Sequence, residues 1–131
     1  MRTIISNYLK NTFTGSRDQH ATTVSWVIII ISVSAVAGLH LALDFTQAPI
    51  YFLAHFWFGL SFPFVLYLIL GTPGGFYLGL FLGAVWHYGN EFWEDQLTRP
   101  VFSLDVDHLI SGTIGLAVAM FFFKASQRLK P

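Results

Sequence analysis

Long apolar runs alternate with short polar breaks along this chain, and four runs stand out. The first goes from Val24 to Leu43, about the 20 residues a helix needs to cross the hydrocarbon core of a bilayer. The second goes from Ile50 to Leu70, the third from Gly75 to about Trp93, and the fourth from about Asp107 to Phe123. The breaks between them are turn-like: Thr46-Gln47-Ala48-Pro49, then Gly71-Thr72-Pro73-Gly74-Gly75, then Gln96 to Ser103. Such short connections predict antiparallel neighbours. The pattern therefore predicts an all-α integral membrane protein, with four transmembrane helices in a bundle over about 24–43, 50–70, 75–93 and 107–123. Pro49 suits the first turn of its helix, whereas Pro63 falls mid-span and predicts a kink.

Two stretches need separate treatment. Arg2, Lys10 and Arg17 precede the first run, and Ala35-Val36-Ala37 resembles a signal-peptide cleavage site. The run continues well past it, so it is read as a span. In residues 1–21, Ile4, Ile5, Tyr8 and Leu9 recur at helical spacing among polar residues. That fits an amphipathic helix lying on the membrane surface, or equally a solvated tail.

The third run carries the strongest internal order. Gly75, Gly79, Gly83, His87, Glu91 and Asp95 are each four apart, so a helix places them on one stripe. Small residues let a neighbouring helix come close in lipid. Ionisable residues at membrane depth are costly and turn toward protein. Ser111, Gly115 and Ala119 make a similar small stripe in the fourth run, as do Ser34, Gly38 and Ala42 in the first.

Composition agrees with the pattern. Hydrophobic residues make up 54% and charged residues 11%, where a soluble domain carries about 25% charged. The absence of cysteine excludes disulfides, thiolate metal sites and cysteine nucleophiles. Formal net charge is zero, which leaves no basic footprint for nucleic acid.

The few charges are segregated, and this orients the chain. Arg2, Lys10 and Arg17 precede the first span, Lys124, Arg128 and Lys130 follow the fourth, and only Arg99 lies between. The positive-inside rule then puts both termini in the cytoplasm of a cell (inner) membrane. The opposite, outer ends carry His40, Asp44, His55, His87, Glu91, Glu94, Asp95, Asp105, Asp107 and His108. No ionisable residue falls in the inner half of any span, so no transmembrane proton relay is expected.

Three chemistries fit that cluster. The first is an interfacial polar network, with Arg99 paired to Glu94, Asp95 or Asp105 and histidines bonded across helices. The second is a transition-metal site (Cu, Zn or Fe) drawing on His40, Asp44, His55, His87, Glu91, Asp95, Asp107 and His108, since imidazole and carboxylate suit such ions. The third is acid–base catalysis on a lipid-linked substrate by a pair such as Asp107 with His87 or His108. No serine elbow, phosphate loop or nucleotide signature assigns a catalytic residue.

A further pattern covers roughly residues 54–116: Ala54-His55-Phe56 early in a span, then Glu91-Phe92-Trp93-Glu94-Asp95-Gln96, then Arg99 through Asp105, then Asp107 and Gly112 to Gly115. In this it resembles the VanZ-like group of small polytopic membrane proteins, departing at Ser111, where those proteins often carry Asn. The resemblance implies a link to the envelope or to glycopeptide resistance, and no defined mechanism.

Two functions are therefore expected from the sequence. One is a small non-catalytic accessory subunit of a larger integral membrane complex, for instance a metallo-oxygenase of the ammonia or methane monooxygenase type, with other membrane subunits and lipids as partners. The other is a stand-alone VanZ-like protein acting on lipid or envelope components at the outer leaflet.

Overall fold

A computed structural model describes residue 15 and residues 17–46, 52–94, 97, 101–102 and 104–128. The expected surface helix in residues 1–14 lies outside these. The regular structure among the described residues is helical: α1 Gln19–Thr46, α2 Phe52–Leu70, α3 Pro73–Gly89 and α4 Val106–Arg128. A π-helical turn, Asn90–Glu94, continues α3 without a break.

Among the described residues, three stretches are long and apolar enough to cross a membrane: Gln19–Ala42, Phe52–Leu70 and Val106–Arg128. The 17 residues of α3 are fewer, and the five-residue π turn lengthens it.

Capping explains where the helices start. The Asp18 carboxylate accepts the Ala21 N–H at 2.9 Å, so α1 begins well before its apolar run. Thr72 caps α3 in extended geometry (φ −133°, ψ 154°), its hydroxyl accepting from the Gly75 N–H, with Pro73 at the first helical position. Between them, Gly71 closes α2 at φ 69°, the left-handed region that favours glycine.

The helices run up, down, up, down. At one end, the Asp18 N–H donates to the Tyr67 hydroxyl (3.0 Å), which donates back to the Asp18 carbonyl (3.2 Å). Arg17 donates there to the Leu68 carbonyl, and Lys124 lies 5.5 Å over the Tyr77 ring. This is the basic end of the molecule. The opposite end gathers His55, His87, Glu91 and His108.

Helix α2 sits at the centre, packed against all three others. Toward the basic end the core is aromatic: Phe64, Tyr67, Phe76 and Phe123 are buried, and Phe76 stacks on Phe123 with centroids 3.8 Å apart. Farther along, glycine sets the spacing. A Cβ on Gly79 would lie 2.6 Å from the Pro63 Cα, and one on Gly115 only 2.2 Å from the Phe56 carbonyl oxygen. Pro63 is buried inside an α2 that is continuous through it.

The two halves of α1 behave differently. Ala21, Ser25, Ile28 and Ser32 are buried at helical spacing. The Ser25 hydroxyl satisfies itself on the Ala21 carbonyl at 2.6 Å. Beyond Ser32 most of the helix surface is exposed, and nothing comes within 4 Å of where a Gly38 Cβ would be.

Candidate functional site

The stripe of α3 continues from glycines that meet α2 into two buried ionisable side chains, His87 and Glu91. Gly75, Gly79 and Gly83 face Leu66, Pro63 and Phe62. One turn later His87 is 2% exposed, and Glu91 in the π turn is fully buried. Asn90 opens the π turn, and its N–H still bonds to the carbonyls of both Trp86 and His87. A charged group buried this way is tolerated when it is paired.

Glu91 is paired with α4. Its Oε1 lies 3.1 Å from His108 Nδ1. Asp105 Oδ2 approaches the same nitrogen at 3.7 Å from the start of α4. From α2, His55 stacks on His108, centroids 4.4 Å apart and planes 16° apart.

His87 backs this group from below. Its Nε2 is 3.3 Å from the Leu109 carbonyl, and its Nδ1 is 3.3 Å from His55 Nδ1. A carbonyl only accepts, so His87 Nε2 carries a hydrogen. In the neutral ring Nδ1 is then an acceptor, and His55 Nδ1 donates to it. That leaves the lone pair of His55 on Nε2. Both nitrogens of His87 are thus committed, one to α4 and one to His55. The ring fits because residue 112 is glycine: a Cβ there would lie 2.3 to 2.7 Å from three ring atoms of His87. Beside it, the Tyr88 hydroxyl and Thr113 Oγ1 are 2.8 Å apart, and Thr113 bonds to the same Leu109 carbonyl at 2.7 Å.

His55, Glu91 and His108 each offer a ligand atom within 4.8 Å of the others. Donors bonded to one ion at about 2.0–2.2 Å lie roughly 3–4 Å apart, so a contraction of about 1 Å closes the set. The Glu91–His108 separation of 3.1 Å already matches two donors on one ion.

Two cavities flank the group. One, of ≈ 300 Å³, is lined by Ala54, His55, Phe58, Trp86, His87 and Asn90. The other, of ≈ 450 Å³, is lined by Phe52, Leu104, Asp105, Val106, Asp107 and His108. The first is aromatic and neutral-polar around its histidines, while the second carries two carboxylates.

No protein-family model, curated protein or solved structure matches the chain.

Of the eight residues the sequence offers as metal ligands, the structure brings together His55, Glu91 and His108, with His87 behind them. His40 is exposed on α1 and borders a groove shared with Ala54, Trp57 and Ser61. Asp107 is exposed and turned to the second cavity rather than to Glu91. Asp95 and Arg99 lie outside the described residues, as do the side chains of Asp44 and Glu94, so the expected Arg99 ion pairs do too. The small stripes differ in use: Gly75, Gly79, Gly83, Ser111 and Gly115 are buried, while Ser34 and Gly38 are exposed.

Sequence reasoning overlooks Asn90, Leu109 and Gly112 as parts of the site. Leu109 acts through its backbone, which no side-chain pattern reveals. Gly112 lies one turn after His108, the signal that could have pointed to it.

Proposed function

We propose that this protein is a four-span membrane protein whose task is to hold a divalent transition metal ion at the outer-leaflet end of its bundle. The observation that carries this reading is the convergence of His55, Glu91 and His108 from three separate elements, buried or half-buried, within 4.8 Å. Two imidazoles and one carboxylate are a donor set for Zn or non-haem Fe(II). The metal replaces the proton between Glu91 and His108. Its negative charge then compensates the ion where lipid and protein offer little other solvation. The bond from His55 to His87, itself anchored on the Leu109 carbonyl, supplies the outer-shell support that such ligands use. Asp105 and Asp107 line the second cavity beside His108, and give a cation an acidic way in.

Orientation follows from charge. Arg17, Lys124 and Arg128 share the end opposite the cluster, so the positive-inside rule places that end in the cytoplasm and the metal at the outer face. Helix α3 with its π turn is the remaining span.

The test is metal content and cobalt binding of the protein purified in detergent. One tightly held equivalent, lost in His55→Ala and in Glu91→Gln, is expected. No binding of Zn, Fe(II) or Co at micromolar concentration overturns the reading.

The setting is a larger membrane complex in which this chain is a subunit. The second half of α1 stands off α2 across a groove of ≈ 540 Å³ lined by Ser32, Val36, His40, Trp57 and Ser61 among others. The buried Ser32 hydroxyl there has no hydrogen-bond partner among the described residues. A lipid tail cannot supply one, whereas a polar side chain from another subunit entering the groove can once Ser32 turns toward it. Native electrophoresis of the gently solubilised membrane tests this: co-migration with a much larger assembly is expected, and migration as a small monomer or dimer sinks it.

One observation favours the stand-alone alternative. His55, Glu91, Asp105 and Gly112, which carry the VanZ-like resemblance, all lie in or against the cluster. A metal site at that level also suits work on lipid or envelope components, and the same electrophoresis separates the two settings.

A further inference from the structure

The donor set and its cavities say more about what kind of metal site this is. We propose that the ion keeps an open coordination position toward the ≈ 300 Å³ cavity between α2 and α3, and takes a small monodentate anion there, hydroxide when nothing else is supplied. This rests on the metal reading above and goes beyond it.

Three observations support it. First, the described residues bring three donors together, His55, Glu91 and His108, where a closed structural zinc site has four and an exchangeable one has three. Second, the nearest remaining imidazole does not complete the shell. His87 donates from Nε2 to the Leu109 carbonyl and accepts at Nδ1 from His55, and Gly112 holds its ring in that place. Third, space lies where a ligand would need it. The cavity is lined by His55 and His87 together with Ala54, Phe58, Trp86 and Asn90. Its ≈ 300 Å³ leaves room for a small anion together with several waters. A dication held by one carboxylate and two neutral imidazoles keeps a net positive charge, which favours an anion in the open position and favours ionising a bound water. No carboxylate lines this cavity, whereas Asp105 and Asp107 line the one beside His108, with Asp105 Oδ2 3.7 Å from His108 Nδ1. They attract the metal and repel an anion, so the two cavities have separate roles. The π turn at Asn90 fits this, because such turns are frequent at functional sites.

The experiment uses the full-length protein loaded with Co(II), read by visible absorption, with azide as the probe anion. The expected result is a cobalt spectrum that shifts on adding azide, and saturates. In Ala54→Trp, which puts an indole into the cavity beside His55 without removing a donor, the cobalt bands should persist and the azide shift should be lost. Phe58→Trp serves the same purpose should Ala54→Trp fail to fold. A cobalt spectrum indifferent to azide overturns the proposal, since a fourth protein donor then closes the shell, while the metal reading stands. An azide shift that survives both cavity-filling variants overturns the assignment of the open position to this cavity. No cobalt band in the unaltered protein removes the metal reading itself, and this inference with it.

Discussion

Glu91 and His108 meet side chain to side chain at 3.1 Å, one from a π turn and the other from the first turns of α4. The carboxylate is fully buried, and the imidazole is about a quarter exposed. Glu91→Gln keeps the size and an acceptor for His108 while removing the negative charge. The neutral amide costs the apo protein about 1 kcal/mol, the worth of an ordinary hydrogen bond. Metal affinity should fall by more than the roughly 10–100-fold that loss of an outer-shell partner causes, because here the charge on the ion goes uncompensated. Isothermal titration with Zn or Co(II), beside the thermal midpoint of the apo protein, checks both halves. Equal metal affinity in the variant would reduce Glu91 to a helix-locking residue.

Gly112→Ala probes His87 without altering any polar atom. The new Cβ falls 2.3 to 2.7 Å from the His87 ring, so the imidazole must leave its place or the helices must part. Overpacking of this kind costs about 1–3 kcal/mol. With the ring displaced, His55 loses its partner at 3.3 Å, and metal affinity should drop about 10–100-fold. His87→Gln removes the same support and leaves Gly112 uncrowded, so it should show the loss in affinity with a smaller loss in stability. The two variants moving stability alone, with metal affinity intact, would show His87 to be packing and nothing else.

These pairings show which parts of the site are legible in the sequence. The four-residue spacing from Gly75 to Glu91 marks one helix face as buried, and the bundle does bury it. That His55, His87 and His108 share one end follows from counting antiparallel runs. The partition between His55 and His40 does not follow. Both sit at the same level, but α1 is apolar nearly all round, so periodicity cannot say which of its faces meets α2. Ser25 and Ser32 are buried on α1, while Val33 and Leu41 are exposed, the reverse of the soluble rule, because lipid solvates apolar side chains as well as the core does. The π turn is equally silent in sequence, yet it sets the angle at which Glu91 enters the bundle.

Two glycines with the same spacing logic should answer differently to alanine. A Cβ at Gly115 would lie 2.2 Å from the Phe56 carbonyl and 3.0 Å from the Leu60 nitrogen, both backbone atoms of the central helix. Gly115→Ala must push α4 off α2, and should cost about 1–3 kcal/mol in the purified protein. Gly38 has open space around it, so Gly38→Ala should leave the isolated chain as stable or slightly more so, given the helix preference of alanine. In the native membrane the order should reverse for assembly. Gly38→Ala is expected to weaken co-migration with larger partners if the standing-off half of α1 is where they bind. Thermal midpoints in detergent and native electrophoresis from membranes give the two readouts, and identical behaviour of Gly38→Ala in both would place partner contacts elsewhere.

Tyr67 carries the last prediction, at the end of the molecule away from the histidines. Its hydroxyl takes the Asp18 N–H and returns a hydrogen bond to the Asp18 carbonyl. Asp18 in turn caps α1, so one phenol ties the start of the first helix to the end of the second. Tyr67→Phe keeps the ring against Phe123, 5.4 Å away, and removes both bonds, at a cost of about 1–2 kcal/mol. The loss should be local. Amides in the first turn of α1 should exchange faster with solvent deuterium, while those of α2 to α4 keep their protection. The cobalt spectrum should not move, because the aromatic layer and the glycine contacts of α2 with α3 and α4 hold the histidine end independently of α1. A spectrum that did change would mean that α1 reaches the histidine end through its packing on α2, and would bring the groove at Ser32 and His40 back into the description of the site.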